Sequence, residues 1–142
     1  MINGASGGVG TFALQMAKIY EADITAVTSE RNSDWIKNDF KINDVIDYTK
    51  DDILSTDNKY DIIFDANGNL SFPKVSKILS ANGIYVSTKN NIYNNIDVAK
   101  QLFQRKKSRV VLSGRTSTAN LDLFRMWTVS YTHLTLPTIY SV

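Results

Sequence analysis

An α/β fold built on a doubly wound parallel sheet is what this sequence predicts, and three observations predict it. A glycine-rich run, Gly4-Ala5-Ser6-Gly7-Gly8-Val9-Gly10, follows directly on Met1-Ile2-Asn3. A helical pattern of apolar residues starts inside that run. Beyond it, short β-branched stretches alternate with helical ones. Buried strands that alternate with helices must run parallel, joined by right-handed crossovers, with both faces of the sheet covered.

Taken in order, Met1-Ile2-Asn3 reads as the last residues of a buried strand whose start is clipped. Val9, Phe12, Ala13, Met16, Ala17 and Tyr20 recur as the apolar face of a helix, with Lys18 and Glu21 opposite. Ile24 to Thr28 is a second strand, and Asn32 or Ser33 caps a helix through Trp35 and Ile36 to about Asn38. Asp44 to Asp47 is a third strand, Tyr60 to Asp65 a fourth and Gly83 to Thr88 a fifth. Between the last two, Pro73 opens a helix running to Leu79, and Asn82-Gly83 ends it with a turn. Asp97 to Gln104 reads as a helix, Arg109 to Ser113 as a sixth strand, and Asn120 to Trp127 as a final helix cut short. The expected strand order is 3-2-1-4-5-6, which puts the clipped strand at the centre.

Composition narrows the function. A chain of 142 residues with 43% hydrophobic and 21% charged residues suits one domain with its own core. Sixteen basic against 14 acidic residues leave a net charge of +2, too small to imply nucleic acid or an acidic membrane. The cluster Arg105-Lys106-Lys107 with Arg109 lacks interleaved aromatics, so it reads as a solvated helix end. There is no cysteine, hence no disulfide framework and no thiolate metal site, which fits a cytoplasmic location. No apolar run approaches the ~20 residues of a membrane span, and no signal core follows a basic start.

Residues 1–128 are therefore expected to form one nucleotide-binding domain, and 129–142 are set apart. The stretch Val129 to Thr138 follows neither period and resembles the conceptual translation of a transposon-derived sequencing adaptor, with Ile139 to Val142 as read-through. His133, the one histidine, is accordingly given no role as acid, base or ligand.

The glycine run has the chemistry of a pyrophosphate cradle in a Rossmann-type domain. One glycine bends the chain after the strand, one lets backbone N–H groups approach the phosphates, and one lets the helix pack on the strand. The helix that opens at Gly8 to Gly10 offers unpaired N–H groups and the positive end of its dipole. A triphosphate-binding loop is excluded, because no Gly-Lys-Ser/Thr follows. At the end of the second strand, Thr28-Ser29-Glu30-Arg31 stands where an NAD enzyme usually carries an acid on the ribose. Ser29 can donate to a 2′-phosphate and Arg31 can pair with it, which favours NADP, with Glu30 arguing the other way.

Ile2 to Ala13, Val27 to Asn32, Val45-Ile46-Asp47-Tyr48 and Ile63 to Asn69, in that order, resemble the medium-chain dehydrogenase/reductase superfamily, closest to its quinone-oxidoreductase-like, NADPH-dependent branch. The resemblance covers roughly residues 1 to 127. It implies a two-domain, usually homodimeric reductase with a small-molecule substrate, of which only the cofactor domain is here. By that resemblance Ala5, Ser6, Gly7, Gly8, Val9 and Gly10 hold the pyrophosphate, and Ser29, Arg31 and Tyr48 surround the adenosine 2′-phosphate. Asp65, Ala66, Gly68, Ser87 and Thr88 lie toward the nicotinamide and its ribose, with strand-end hydrogen bonding as the alternative role for Asp65 and Ser87. No catalytic or metal-binding residue is assigned. Ala5, Asn67, Lys41 and Thr88-Lys89-Asn90 depart from the family pattern.

Two other readings stay open. The short-chain dehydrogenases share the spacing of Gly4, Gly8 and Gly10, but their Tyr-x-x-x-Lys pair would have to be Tyr85 and Lys89, which fall in a strand and so lie ~13 Å apart. A non-enzymatic NADP sensor would keep the fold without turnover.

Overall fold

The computed structural model describes residues 1–89 and the backbone of 107–110. Its sheet has six strands in the order 3-2-1-4-5-6, and the described pairings are parallel. The elements are β1 (Ile2–Asn3), α1 (Gly8–Ile19), β2 (Thr25–Thr28), α2 (Glu30–Phe40), β3 (Asp44–Asp47), β4 (Tyr60–Asp65), α3 (Phe72–Val75), β5 (Leu79–Ser87) and β6 (Lys107–Val110). The expected helices at 97–104 and 120–127, and the tail at 129–142, lie outside the described residues.

Strand alternation sorts the core into two layers. Met1, Val27, Ile63 and Tyr85 point to the face covered by α3 and its flanks through Phe72, Val75, Ile78 and Leu79. Ile2 and Ala26 point to the other face, where Leu14 of α1 and Ile36 of α2 close over them. β1 and β2 are thus buried on both faces, as a parallel sheet requires, while Asp61 and Ile62 of β4 are exposed.

The buried face of α1 and the bounds of α2, α3, β5 and β6 differ from the sequence reading. Helix α1 buries Gly10, Thr11 and Leu14, with Ala13 and Ala17 packed on the core. Val9, Phe12 and Tyr20 are exposed instead. A Cβ on Gly10 would come within 2.0 Å of the Gly4 carbonyl, so this contact sets the helix rotation, and positions three, four and seven residues on follow it inward. Helix α2 starts at Glu30, with Ser29 as its N-cap residue, because the chain turns out of β2 at once. Helix α3 is one turn, since the Ile78 carbonyl accepts from Tyr60 N at 2.9 Å and Leu79 pairs with Tyr60 in the sheet. Asn82 and Gly83 therefore lie within β5, near a register irregularity at Tyr60/Ile62. Strand β6 begins two residues earlier than expected, at Lys107, opposite Ile84. Side-chain pattern alone does not mark where that backbone pairing starts.

The two-residue β1 is extended at its start by Met1, whose terminal ammonium donates to the Ile62 carbonyl at 2.9 Å while its own carbonyl accepts from Phe64 N at 3.0 Å. Burial pushes that ammonium from 8.0 down to about 6, against a partial opposing pull from Asp44 and Asp61. Between those two values the unfolded chain holds a proton that the folded chain has released, so stability rises with pH across this window and the penalty is fully present below it. The gain from pH 5.5 to 8.5 is expected to be roughly 2–3 kcal/mol, checked by urea unfolding. Acetylating the terminus should flatten that step.

Candidate functional site

The carboxyl ends of β1, β2 and β4 meet where the strand order reverses, on either side of β1. Open α/β sheets place their ligand crevice at such a point. Gly4 leaves β1 with φ +80°, a conformation that would strain any other residue, and its amide and that of Ala5 donate to the Val27 carbonyl at 3.1 and 3.0 Å. Gly7 N then donates to the Gly4 carbonyl at 3.1 Å, closing the turn on itself. Ala5 is wholly buried; Ser6 is half-buried, while Gly7, Gly8 and Val9 are exposed.

Helix α1 has no side-chain cap and no acidic residue in its first turn. The first-turn amides of Gly8, Val9 and Gly10 therefore have no acceptor within the helix. A Cβ on Gly8 would meet nothing within 4 Å. Open space in front of uncapped amides is an arrangement that can admit a phosphate.

A hydroxyl network links this turn to the end of β2. Thr28 Oγ1 donates to Ser6 Oγ at 2.9 Å and Asn32 Nδ2 donates to the same oxygen at 3.0 Å. Asn32 Nδ2 also reaches Ser29 Oγ at 3.4 Å. With its lone pairs engaged, the Ser6 hydroxyl keeps its proton to donate. Asn32, read from the sequence as a helix cap, is instead a bridge between two turns, visible only once β1 and β2 are adjacent.

Arg31 and Tyr48 are both exposed, beside this rim. The Tyr48 amide donates to the Thr28 carbonyl at 3.1 Å, so the exits of β2 and β3 are held together. Glu30 forms an ion pair with Lys50, which holds the Lys50 ammonium above its usual range. Thr49 Oγ1, which donates to it, holds the Asp47 carboxyl below its usual range.

The other expected residues follow β4 and β5. Asp65 is fully buried, and its carboxylate accepts four hydrogen bonds. Asn3 Nδ2 (2.7 Å) and Gly68 N (2.9 Å) donate to Oδ1, and Leu70 N and Tyr85 OH, both at 2.9 Å, donate to Oδ2. Ser87, 1% exposed, exchanges hydrogen bonds with the Lys89 backbone at 3.1 and 3.2 Å. Thr88 Oγ1 donates to the Ala66 carbonyl at 3.0 Å. Gly68 has φ +64°, and a Cβ there would strike Lys89 Cβ at 2.3 Å. The side chains of Asp65 and Ser87 are thus engaged within the protein, in the strand-end role weighed for them. Asn3, which also donates to Asn69 Oδ1 at 2.7 Å, belongs to the same network and carried no signal in the sequence beyond a polar residue closing a buried strand. Tyr85 OH lies inside this core, so it cannot serve a Tyr-x-x-x-Lys pair.

No family model matches the chain. Over 89 residues it is 37% identical to a zinc-type alcohol dehydrogenase-like protein of Schizosaccharomyces pombe, a match covering 60% of this chain and 25% of that protein. It is 42% identical over 71 residues to the mitochondrial NAD(P)H oxidoreductase RTN4IP1 of Danio rerio, covering 48% of this chain and 18% of the relative. Among solved structures, the quinone oxidoreductase of Coxiella burnetii superposes with a TM-score of 0.73 at 24% identity, over 91% of this chain and 40% of that one. The chain is thus similar in sequence to these oxidoreductases, in line with its resemblance to the medium-chain dehydrogenase/reductases. CurA of Vibrio vulnificus, solved with NADPH, has the same fold, with a TM-score of 0.73 at 16% identity over 92% of this chain and 44% of that one. The chain spans less than half the length of the medium-chain relatives compared with it.

Among the described residues no His, Cys, Asp and Glu cluster could hold a metal ion, and no helix is long and apolar enough to cross a membrane. Replacing Asp65 by Asn would turn an amide N–H₂ toward two of the four donors now facing the carboxylate. The D65N variant is expected to lose about 3 kcal/mol or more of stability, read from denaturant midpoints.

Proposed function

We propose that this chain, through residues 1–128, is the NADPH-binding part of an oxidoreductase that passes hydride between NADPH and a quinone, an enone or another carbonyl compound. The observation that carries the reading is the uncapped start of α1 with open space at Gly8, set where the strand order reverses. Ala5, Ser6, Gly7, Gly8, Val9 and Gly10 form the pyrophosphate cradle, in which the amides of Gly8, Val9 and Gly10 and the Ser6 hydroxyl bind, while Ala5 and Gly7, whose amides bond within the protein, shape the turn. Ser29, Arg31 and Tyr48 take the 2′-phosphate of the adenosine ribose. Ala66, Gly68 and Thr88 shape the nicotinamide end by their backbone and the Thr88 hydroxyl, while Asp65 and Ser87 hold that backbone in place. The cofactor supplies a hydride at its nicotinamide ring, and the protein's share is to bind, orient and exclude water.

The substrate-facing groups belong to the parts of the relatives that this chain does not span, so no catalytic acid, base or metal ligand is assigned to it. The complete protein is proposed to be a homodimer acting on a small molecule, with neither nucleic acid nor membrane as partner. A cytoplasmic location goes with this reading on the cysteine-free composition, although one named relative is mitochondrial.

Titration of the 142-residue chain, followed by nicotinamide fluorescence, should show NADPH binding more tightly than NADH. The Gly8→Ala variant separates fold from binding, because its methyl group enters space that is empty in the protein. Its stability should stay within about 0.5 kcal/mol of the parent, while NADPH affinity falls roughly tenfold or more. Equal affinity in G8A and parent would remove the cradle from the site. The chain by itself should not oxidise NADPH with any quinone or enone, and sustained turnover at 340 nm would overturn that expectation.

A further inference from the structure

Glu30 stands where an acidic side chain works against NADPH. It is the first residue of α2, directly after Ser29, at the β2 exit where Rossmann-type domains bring a carboxylate to the ribose 2′-hydroxyl and so repel a 2′-phosphate. Here that carboxylate is paired with the Lys50 ammonium, and the two side chains remain 68% and 59% exposed respectively.

Lys50 is delivered by a turn that the protein braces at several points. Asp47 Oδ1 accepts from Thr49 N at 2.9 Å and Thr49 Oγ1 at 2.6 Å. The Asp47 carbonyl accepts from Lys50 N at 3.1 Å and Asp51 N at 2.8 Å, and the Tyr48 amide ties the turn to Thr28. The Lys50 side chain crosses from the β3 exit to the β2–α2 junction, bridging the two strand ends that would flank the adenosine ribose. Asp47 and Asp51 also act on Lys50 through space. Without Lys50, the Glu30 carboxylate would stand without its ion-pair partner next to the site proposed for a dianionic phosphate.

We propose that Lys50 is a specificity-determining residue, which selects NADPH by neutralising Glu30 across the exits of β2 and β3. This rests on the NADPH-binding reading above. Because the pair is exposed, it contributes little to folding, and its removal should leave the domain intact. Its long flexible stem lets the ammonium be shared between Glu30 and an incoming phosphate.

The test uses the full chain with NADPH and NADH as probes, in low salt, with urea midpoints as a control for folding. K50Q should weaken NADPH about fivefold and leave NADH within about twofold, E30Q should tighten NADPH, and E30Q/K50Q should return NADPH close to the parent value. 2′-Phosphoadenosine compounds should compete with the same pattern, and 5′-AMP should not. Equal effects of K50Q on both cofactors, no effect on either, or failure of E30Q to rescue K50Q would each overturn the proposal while leaving the binding function standing. If the parent chain binds neither cofactor, the binding function fails and this inference falls with it.

Discussion

The Asp65 carboxylate holds three parts of the chain that would otherwise have no reason to keep their relative positions. It receives Asn3 from β1, the amides of Gly68 and Leu70 from the loop after β4, and the Tyr85 hydroxyl from β5. A buried charge held by hydrogen bonds is costly to disturb, because each donor it loses is stranded away from water. The carboxyl edge of the sheet, where the proposed site lies, is therefore one braced unit. Asn69 and Asn67 extend it: Asn3 donates to the first, and the second lies so close over Gly4 that a Cβ there would come within 2.7 Å of its Oδ1.

A second constraint works through contact rather than charge. The Gly10–Gly4 approach seats α1 directly on the β1 exit, which keeps the amides of the first turn at the mouth of the crevice. The same contact explains why α1 turns Leu14 inward and Phe12 outward. Cradle geometry and helix packing are consequences of one close approach, so neither can be altered alone.

Much of this was legible in the sequence, and the reasons differ by element. Strands β3 and β4 show their bounds because β-branched and apolar runs end at polar residues on both sides. Strand order was expected from the Rossmann-type reading of the glycine turn, because alternation and crossover handedness alone also allow other doubly wound orders. The rotation of α1 was not legible, since Val9, Phe12, Met16 and Tyr20 make as good an apolar face as Gly10, Leu14 and Ala17 until the Gly4 contact is known. The start of β5 was hidden because Leu79 looks like the end of a helix when its backbone partner, Tyr60, is unseen. At the site, the turn glycines announce themselves through spacing, whereas Asn3, Asn32 and Lys50 act only across strands that are distant in sequence. Polar residues of that kind carry no periodic signal.

The separation of those partners also orders events in time. β1 pairs with β2 some two dozen residues downstream, through Ile2 with Ala26, and with β4 much further on, through Ile2 with Phe64. Closing such loops costs chain entropy that only the later contacts repay. The glycine turn leaves the ribosome well before Asp65 does, and until then Asn3 has no carboxylate to bind. The residues that would grip a dinucleotide are thus made early and shaped late, so the nascent domain passes through a stage in which its strands exist but its crevice does not.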